Sequence, residues 1–166
     1  YQAGTDVTAS GVYYSSTSPY NLIASPFVSG WFNPSGAGIT IGLLVAIMLF
    51  SKRDDYKAIA KLAIPCGIFN INEPIIFGIP MVMNPLLGIP FFLAPLATVI
   101  LGYVVQSVGI CPLYVIDVPW TTPVGIFGFL ASGGNLWGAL WQIIIIVGVS
   151  TLVYTPFVIA SNREEA

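Results

Sequence analysis

The sequence predicts an all-α integral membrane protein with about three transmembrane helices plus two re-entrant helical hairpins. Three observations carry this. Hydrophobic residues make up 56% of the 166-residue chain and charged residues only 7%, against a charged share of about 25% in soluble domains; the mean hydropathy is +0.87. Between Lys61 and Arg163 only Glu73 and Asp117 are charged, and a spanning helix needs about 20 consecutive apolar residues, so this stretch can hold several passes. Prolines at 65, 74, 80, 85, 90, 95, 112, 119, 123 and 156 cut that stretch, so some segments are too interrupted to be simple spans. The same composition excludes other classes. A net charge of −2 leaves no basic patch for nucleic acid. The apolar content excludes disorder, and a chain with no His and two Cys has neither a zinc ligand set nor a disulfide framework. No metal or cofactor is expected.

Residues 1–20 are rich in Ser, Thr, Tyr and Gly and read as a polar lead-in, a loop or flexible segment. The chain starts at Tyr1 without a signal-peptide pattern, and the expectation is a piece of a larger polytopic protein or a truncated product. Residues 21–166 form the membrane unit. Asn21–Phe32 reads as a half-helix or loop at the membrane face. Gly36–Phe50 is the first span and ends at Ser51-Lys52-Arg53. Lys52, Arg53, Lys57 and Lys61 in one short loop place that loop on the cytoplasmic side. Tyr56, Ile59, Ala60 and Ala63 share one helical face opposite Lys57 and Lys61, as in a helix lying on the inner surface.

The run from Ile64 to Pro80 is divided by Asn72-Glu73-Pro74, the pattern of two half-helices meeting at a polar tip, which is tolerated only where it is buried in protein or lines a cavity. Met81–Gly109 reads as a broken helix followed by a regular pass, Leu93–Val108. Ile110–Leu130 repeats the hairpin pattern around Pro119-Trp120-Thr121-Thr122-Pro123. Asn135–Ile159 is the last span. Paired interrupted segments point to a transporter's binding site.

Glu73 is the leading site residue. A carboxylate at the centre of a membrane segment costs about 2.5–3.5 kcal/mol on insertion scales, and Asn70 and Asn72 beside it offer amide donors and acceptors. This set suits a hydroxyl-rich ligand such as a sugar. The structural alternative is a carboxylate capping the second half-helix. Trp120 with Thr121 and Thr122 offers an aromatic face beside hydroxyls; its alternative is an interfacial belt tryptophan. Asp117 reads as a surface acid or a ligand, and Trp137 and Trp141 as belt or packing residues. Cys66 and Cys111 have no neighbouring base and read as inert. Gly36-Ala37-Gly38 and Ser132-Gly133-Gly134 are not phosphate loops and suit close helix packing.

Gly67–Phe91 (GIFNINEPIIFGIPMVMNPLLGIPF) closely resembles the signature region of the enzyme IIC membrane component of the phosphoenolpyruvate-dependent sugar phosphotransferase system (PTS), in its lactose/cellobiose/diacetylchitobiose branch. FSKRDDYKAIAKL before it and VPWTTPVGIFGFLASGG (118–134) after it fall in the family's order. The resemblance runs from about Asn21 to the C-terminus and implies the family's C-terminal, sugar-holding half, with two re-entrant hairpins. It implies that Glu73 binds the sugar hydroxyl to be phosphorylated, and that the phosphoryl donor is a cysteine on a separate cytoplasmic phospho-IIB protein. The expected partners are then a β-linked disaccharide, IIB, the lipid bilayer, and a missing N-terminal half or dimer partner chain; the expected place is a bacterial cell membrane, crossed several times. The family's sugar-binding histidine has no counterpart in this chain, and its Gly-rich segment before the first helix is kept in part as Pro34-Ser35-Gly36-Ala37-Gly38. Two other functions fit the residues: an ion-coupled secondary sugar transporter using Glu73 as the coupling site, and an inactive permease remnant.

Overall fold

In the computed structural model the described residues are 5–7, 13–15, 23, 25–81 and 83–162. Two short strands, β1 (Thr5–Val7) and β2 (Tyr13–Ser15), pair antiparallel with Asp6 opposite Tyr14, so part of the expected loop is a hairpin. The rest of the described chain is a helical body. In order it holds α1 (Ser25–Trp31), α2 (Thr40–Phe50), α3 (Asp54–Ile68), α4 (Glu73–Gly78), α5 (Pro85–Ser107), α6 (Ile126–Ala131), α7 (Leu136–Ile143) and α8 (Ser150–Ser161). A π-helical stretch, Ile144–Val149, joins α7 to α8 in one apolar helix of 26 residues.

Two helices are long and apolar enough to cross a membrane, Pro85–Ser107 and Leu136–Ser161. In each, only 28% of the most apolar window is buried within the protein. Phe92, Leu96, Ile100, Leu136, Ile144 and Leu152 point outward, as side chains facing lipid do. The third expected span, α2, has 11 residues, about 16 Å at 1.5 Å per residue, which is shorter than the bilayer core. It begins at Thr40 and not at Gly36, because Ser35, Gly36, Gly38 and Ile39 all have positive φ, a backbone that no right-handed helix accepts.

Three further expectations are corrected. The surface helix and the first hairpin arm are one continuous helix: α3 runs from Asp54 through Pro65 to Ile68, burying the predicted Tyr56, Ala60 and Ala63. The broken helix after Met81 is unbroken from Pro85 to Ser107 despite Pro90 and Pro95. Both prolines are buried, in a stripe with Leu87, Ala94, Thr98 and Gly102, and packing along that stripe holds the helix across the two missing amides. In the segment expected to form the second hairpin, only the part after Pro123 is helical. Residues 110–118 run without helix, and the amides of Val115 and Ile116 donate to the Ala131 carbonyl at 2.8 and 3.1 Å.

Helix ends explain several polar residues. Three helices stop in the same way: the second residue past the last turn is left-handed, and it and its successor donate back into the helix. Asn70 does this for α3, Gly109 for α5 and Gly133 for α6, so Ser132-Gly133-Gly134 is a helix stop and not a helix-packing motif. At one end of the body, the C-termini of α2 and α8 are tied together. Lys52 N–H donates to Asn162 Oδ1 at 2.9 Å, and Asn162 Nδ2 donates to the Phe50 carbonyl at 3.0 Å. Beside them Arg53 pairs with Asp55 at 2.7 Å and stacks on Tyr56; the hydrogen bond from Arg53 holds the Asp55 carboxyl below its ordinary range. Arg163, Glu164 and Glu165 lie outside the described residues.

The core has two parts. One joins α2, α3, α4 and α8 through Leu43, Ile47, Ala60, Ile75, Tyr154 and Val158. The other joins α1, the extended segment, α6 and the π-helical stretch through Trp31, Tyr114, Phe127 and Ile146. The turn between α3 and α4 meets residues 119–123 and the loop before α2.

Candidate functional site

Three irregular segments converge: the turn Phe69–Asn72 between α3 and α4, the tip Pro119–Pro123, and the loop Asn33–Ile39 before α2. The turn exists because Asn70 ends α3. Its φ is +64°, a conformation Asn tolerates better than most residues because its short side chain bonds locally. Ile71 N–H then reaches back to the Cys66 carbonyl at 3.0 Å and Asn70 N–H to Gly67 at 3.2 Å. Asn72 starts α4, with Pro74 inside its first turn, where a missing amide costs nothing.

The Asn70 amide is buried, and protein groups occupy it. Its Oδ1 accepts from Ser35 N–H at 2.6 Å. Its Nδ2 donates to the Trp120 carbonyl and, at 2.8 Å, to the Thr122 carbonyl. Asn72 Nδ2 donates to the Ala37 carbonyl at 2.8 Å. The structure therefore brings together Asn70, Asn72, Trp120 and Thr122; the Asn70 amide is taken up by backbone on both its atoms, while Asn72 spends its Nδ2 on the Ala37 carbonyl. Glu73 is the first residue of α4 and is exposed. Among the described residues nothing hydrogen-bonds or pairs with its carboxylate, and no amide of α4 is capped by it. Trp120 is 64% exposed; Thr121 is exposed beside it and Thr122 half-buried. Asp117 accepts from Ser25 Oγ at 3.1 and 3.2 Å, which ties the extended segment to the start of α1.

Sequence reasoning missed two supports. The sequence places Gly36–Ile39 in the first span, yet the loop Ser35–Ile39 is irregular and contacts both asparagines. Gln142 carried no signal: it is a buried amide inside an apolar helix. Its Oε1 accepts from Gly125 and Gly128 N–H, both at 2.8 Å, and its Nε2 donates to the Gly30 carbonyl at 3.1 Å. It satisfies two amides at the start of α6 that the helix itself leaves free, and so fixes the arm behind the tip. Among the described residues no cluster of His, Cys, Asp and Glu could hold a metal ion.

A helical body with exposed apolar flanks, and polar turns that interrupt its helices, is consistent with a membrane transport protein. The sequence model of the family "Phosphotransferase system, EIIC" matches residues 2–95, and the chain belongs to that family, whose members are integral membrane components. It is 44% identical over 135 residues to the cellobiose-specific EIIC component of the PTS of Lactococcus lactis subsp. lactis (strain IL1403), covering 81% of this chain and 27% of that protein. It is 45% identical over 137 residues to the lichenan permease IIC component of Bacillus subtilis (strain 168), covering 82% and 30%. Its fold is similar to the crystal structure of the transporter ChbC, the IIC component from the N,N'-diacetylchitobiose-specific PTS, with a TM-score of 0.80 and 35% identity over 86% of this chain and 33% of that one. The chain thus spans about 30% of the length of the curated relatives it matches.

Proposed function

We propose that this chain is the sugar-holding part of a phosphoenolpyruvate-dependent PTS permease in a bacterial cell membrane, and that it binds a β-linked disaccharide for phosphorylation by a separate IIB protein. The observation that carries this is Glu73: a carboxylate with no partner among the described residues, one residue from a turn whose asparagines hold the Trp120 tip and the loop before α2. An unpaired carboxylate on an apolar body is costly and is retained where a ligand uses it. The relatives' names, which specify cellobiose, lichenan and diacetylchitobiose, support that ligand class. In this reading Trp120 stacks on a sugar ring, and Thr121 and Thr122 hydrogen-bond its hydroxyls. Asn70 and Asn72, expected from sequence as ligands, act as the frame. The turn at Asn70–Asn72 and the tip at Pro119–Pro123 are re-entrant, and α2 completes a third pass together with the loop before it.

The chemistry follows from those roles. Glu73 accepts a hydrogen bond from the reacting hydroxyl and orients its oxygen toward the phosphocysteine of IIB. An oxygen–phosphorus bond forms as the sulfur–phosphorus bond breaks. The thiolate leaves, and the hydroxyl proton passes to Glu73. The test is to supply phospho-IIB and radiolabelled cellobiose to membranes carrying the protein in its complete natural chain. Phosphorylated disaccharide should form, and its formation should survive a protonophore. Uptake of unmodified sugar that needs no phosphoryl donor and collapses with the proton gradient would establish the ion-coupled reading instead.

A further inference from the structure

Among the described residues three non-glycine residues have positive φ: Ser35 at +60°, Ile39 at +49° and Asn70 at +64°. All three belong to one bonded unit, because Ser35 N–H donates to Asn70 Oδ1 and Ile39 closes the same loop. A left-handed β-branched residue is a true outlier, and such conformations persist only where the surroundings over-determine them. Here the surroundings converge on one amide. Both hydrogens of Asn70 Nδ2 are directed at carbonyls of the tip, those of Trp120 and Thr122. Among the described residues no other hydrogen bond joins the Phe69–Asn72 turn to that tip. Trp120 is mostly exposed and its side chain has no bonded partner there, so this bridge is the hydrogen-bonded link between the tip and the turn that leads into Glu73.

We propose that Asn70 is a positioning residue: its amide fixes the spacing between Glu73 and Trp120 and does not itself bind the sugar. This rests on the reading that Glu73 and Trp120 hold a disaccharide. The position allows a clean separation of roles. Asn70→Gly keeps the left-handed helix stop, which glycine adopts freely, and removes only the amide. Asn70→Asp keeps an oxygen for Ser35 N–H and sets carboxylate against the two carbonyls. The experiment compares each protein with its Trp120→Phe counterpart, so that the difference in fluorescence reports Trp120 alone, and measures cellobiose affinity for every member of the cycle.

The expected result for Asn70→Gly is a lower fluorescence anisotropy of Trp120 without sugar. Affinity should fall about tenfold, the scale of one lost hydrogen bond. Combined with Trp120→Phe, the loss should be no greater than that of the more damaging single change, since a residue acting through another is not additive with it. Asn70→Asp gives the same pattern and carries the test should glycine unfold the turn. Losses that multiply in the double variant would make Asn70 a direct ligand and overturn the proposal. So would unchanged anisotropy and affinity in Asn70→Gly. A parent protein that binds no β-linked disaccharide would sink the functional reading, while the anisotropy measurement would still decide whether the bridge holds Trp120.

Discussion

A β-carbon added to Gly36 would lie 2.6 Å from Cγ of Asn72, so the loop before α2 and the residue preceding Glu73 touch with no room for a methyl group. Gly36 also has φ +73°, and Gly133 has nearly the same φ, +75°, with nothing within 4 Å of its would-be β-carbon. The pair separates backbone strain from contact.

Gly133→Ala should cost about 1–2 kcal/mol, the left-handed penalty of an alanine, with sugar affinity unchanged. Gly36→Ala carries that penalty and also displaces Asn72, so it should both destabilise and weaken binding. Thermal midpoints in detergent and equilibrium cellobiose binding check this. Equal binding losses in the two variants would refute the contact argument.

The Asn162 amide ties the ends of α2 and α8 at the basic loop, which fixes the relative sidedness of distant residues. In a background lacking Cys66 and Cys111, Asp54→Cys and Asn162→Cys should be labelled by an impermeant thiol reagent from the same face. The positive-inside rule makes that face cytoplasmic. Asn135→Cys, at the far end of the last helix, should react only from outside. Labelling of Asp54→Cys from outside in intact cells reverses the orientation.

Gln142 is fully buried and bonds to three backbone groups. Gln142→Leu keeps the volume and strands Gly125 N–H, Gly128 N–H and the Gly30 carbonyl. Each abandoned group costs about 1–3 kcal/mol, so the thermal midpoint should fall by several degrees or the chain should fail to accumulate. Gln142→Glu retains the acceptor for both amides and should be milder if the carboxyl is protonated at low pH. A leucine variant as stable as the parent would contradict the role assigned to this residue.

The membrane class, the buried face of α3 and the division at Asn-Glu-Pro were legible because each follows from local composition or spacing. Tyr56, Ala60 and Ala63 repeat at helical intervals, and Pro74 marks a helix start. What was not legible depended on distant partners. Pro90 and Pro95 look like breaks in sequence, yet their burial against the body keeps α5 continuous. The extended run 110–118 looks like a helical arm, but its Val115 and Ile116 amides donate to the Ala131 carbonyl. The protein partners of the Asn70 amide are equally hidden in the sequence. The left-handed backbone of Asn70 places the amide among the carbonyls of another segment 50 residues on, which no window of sequence reveals.

The central claim is that the unpartnered carboxylate of Glu73 orients and deprotonates the sugar hydroxyl. Glu73→Gln retains size and part of the hydrogen bonding but cannot act as a base. The decisive measurement is equilibrium cellobiose binding alongside phospho-IIB-dependent sugar phosphorylation, on the same membranes. A positioned base contributes about 100- to 10,000-fold in rate, so phosphorylation should fall by that order while binding weakens far less. Binding and phosphorylation both near the parent values in Glu73→Gln would contradict the account and return Glu73 to a structural role at the start of α4.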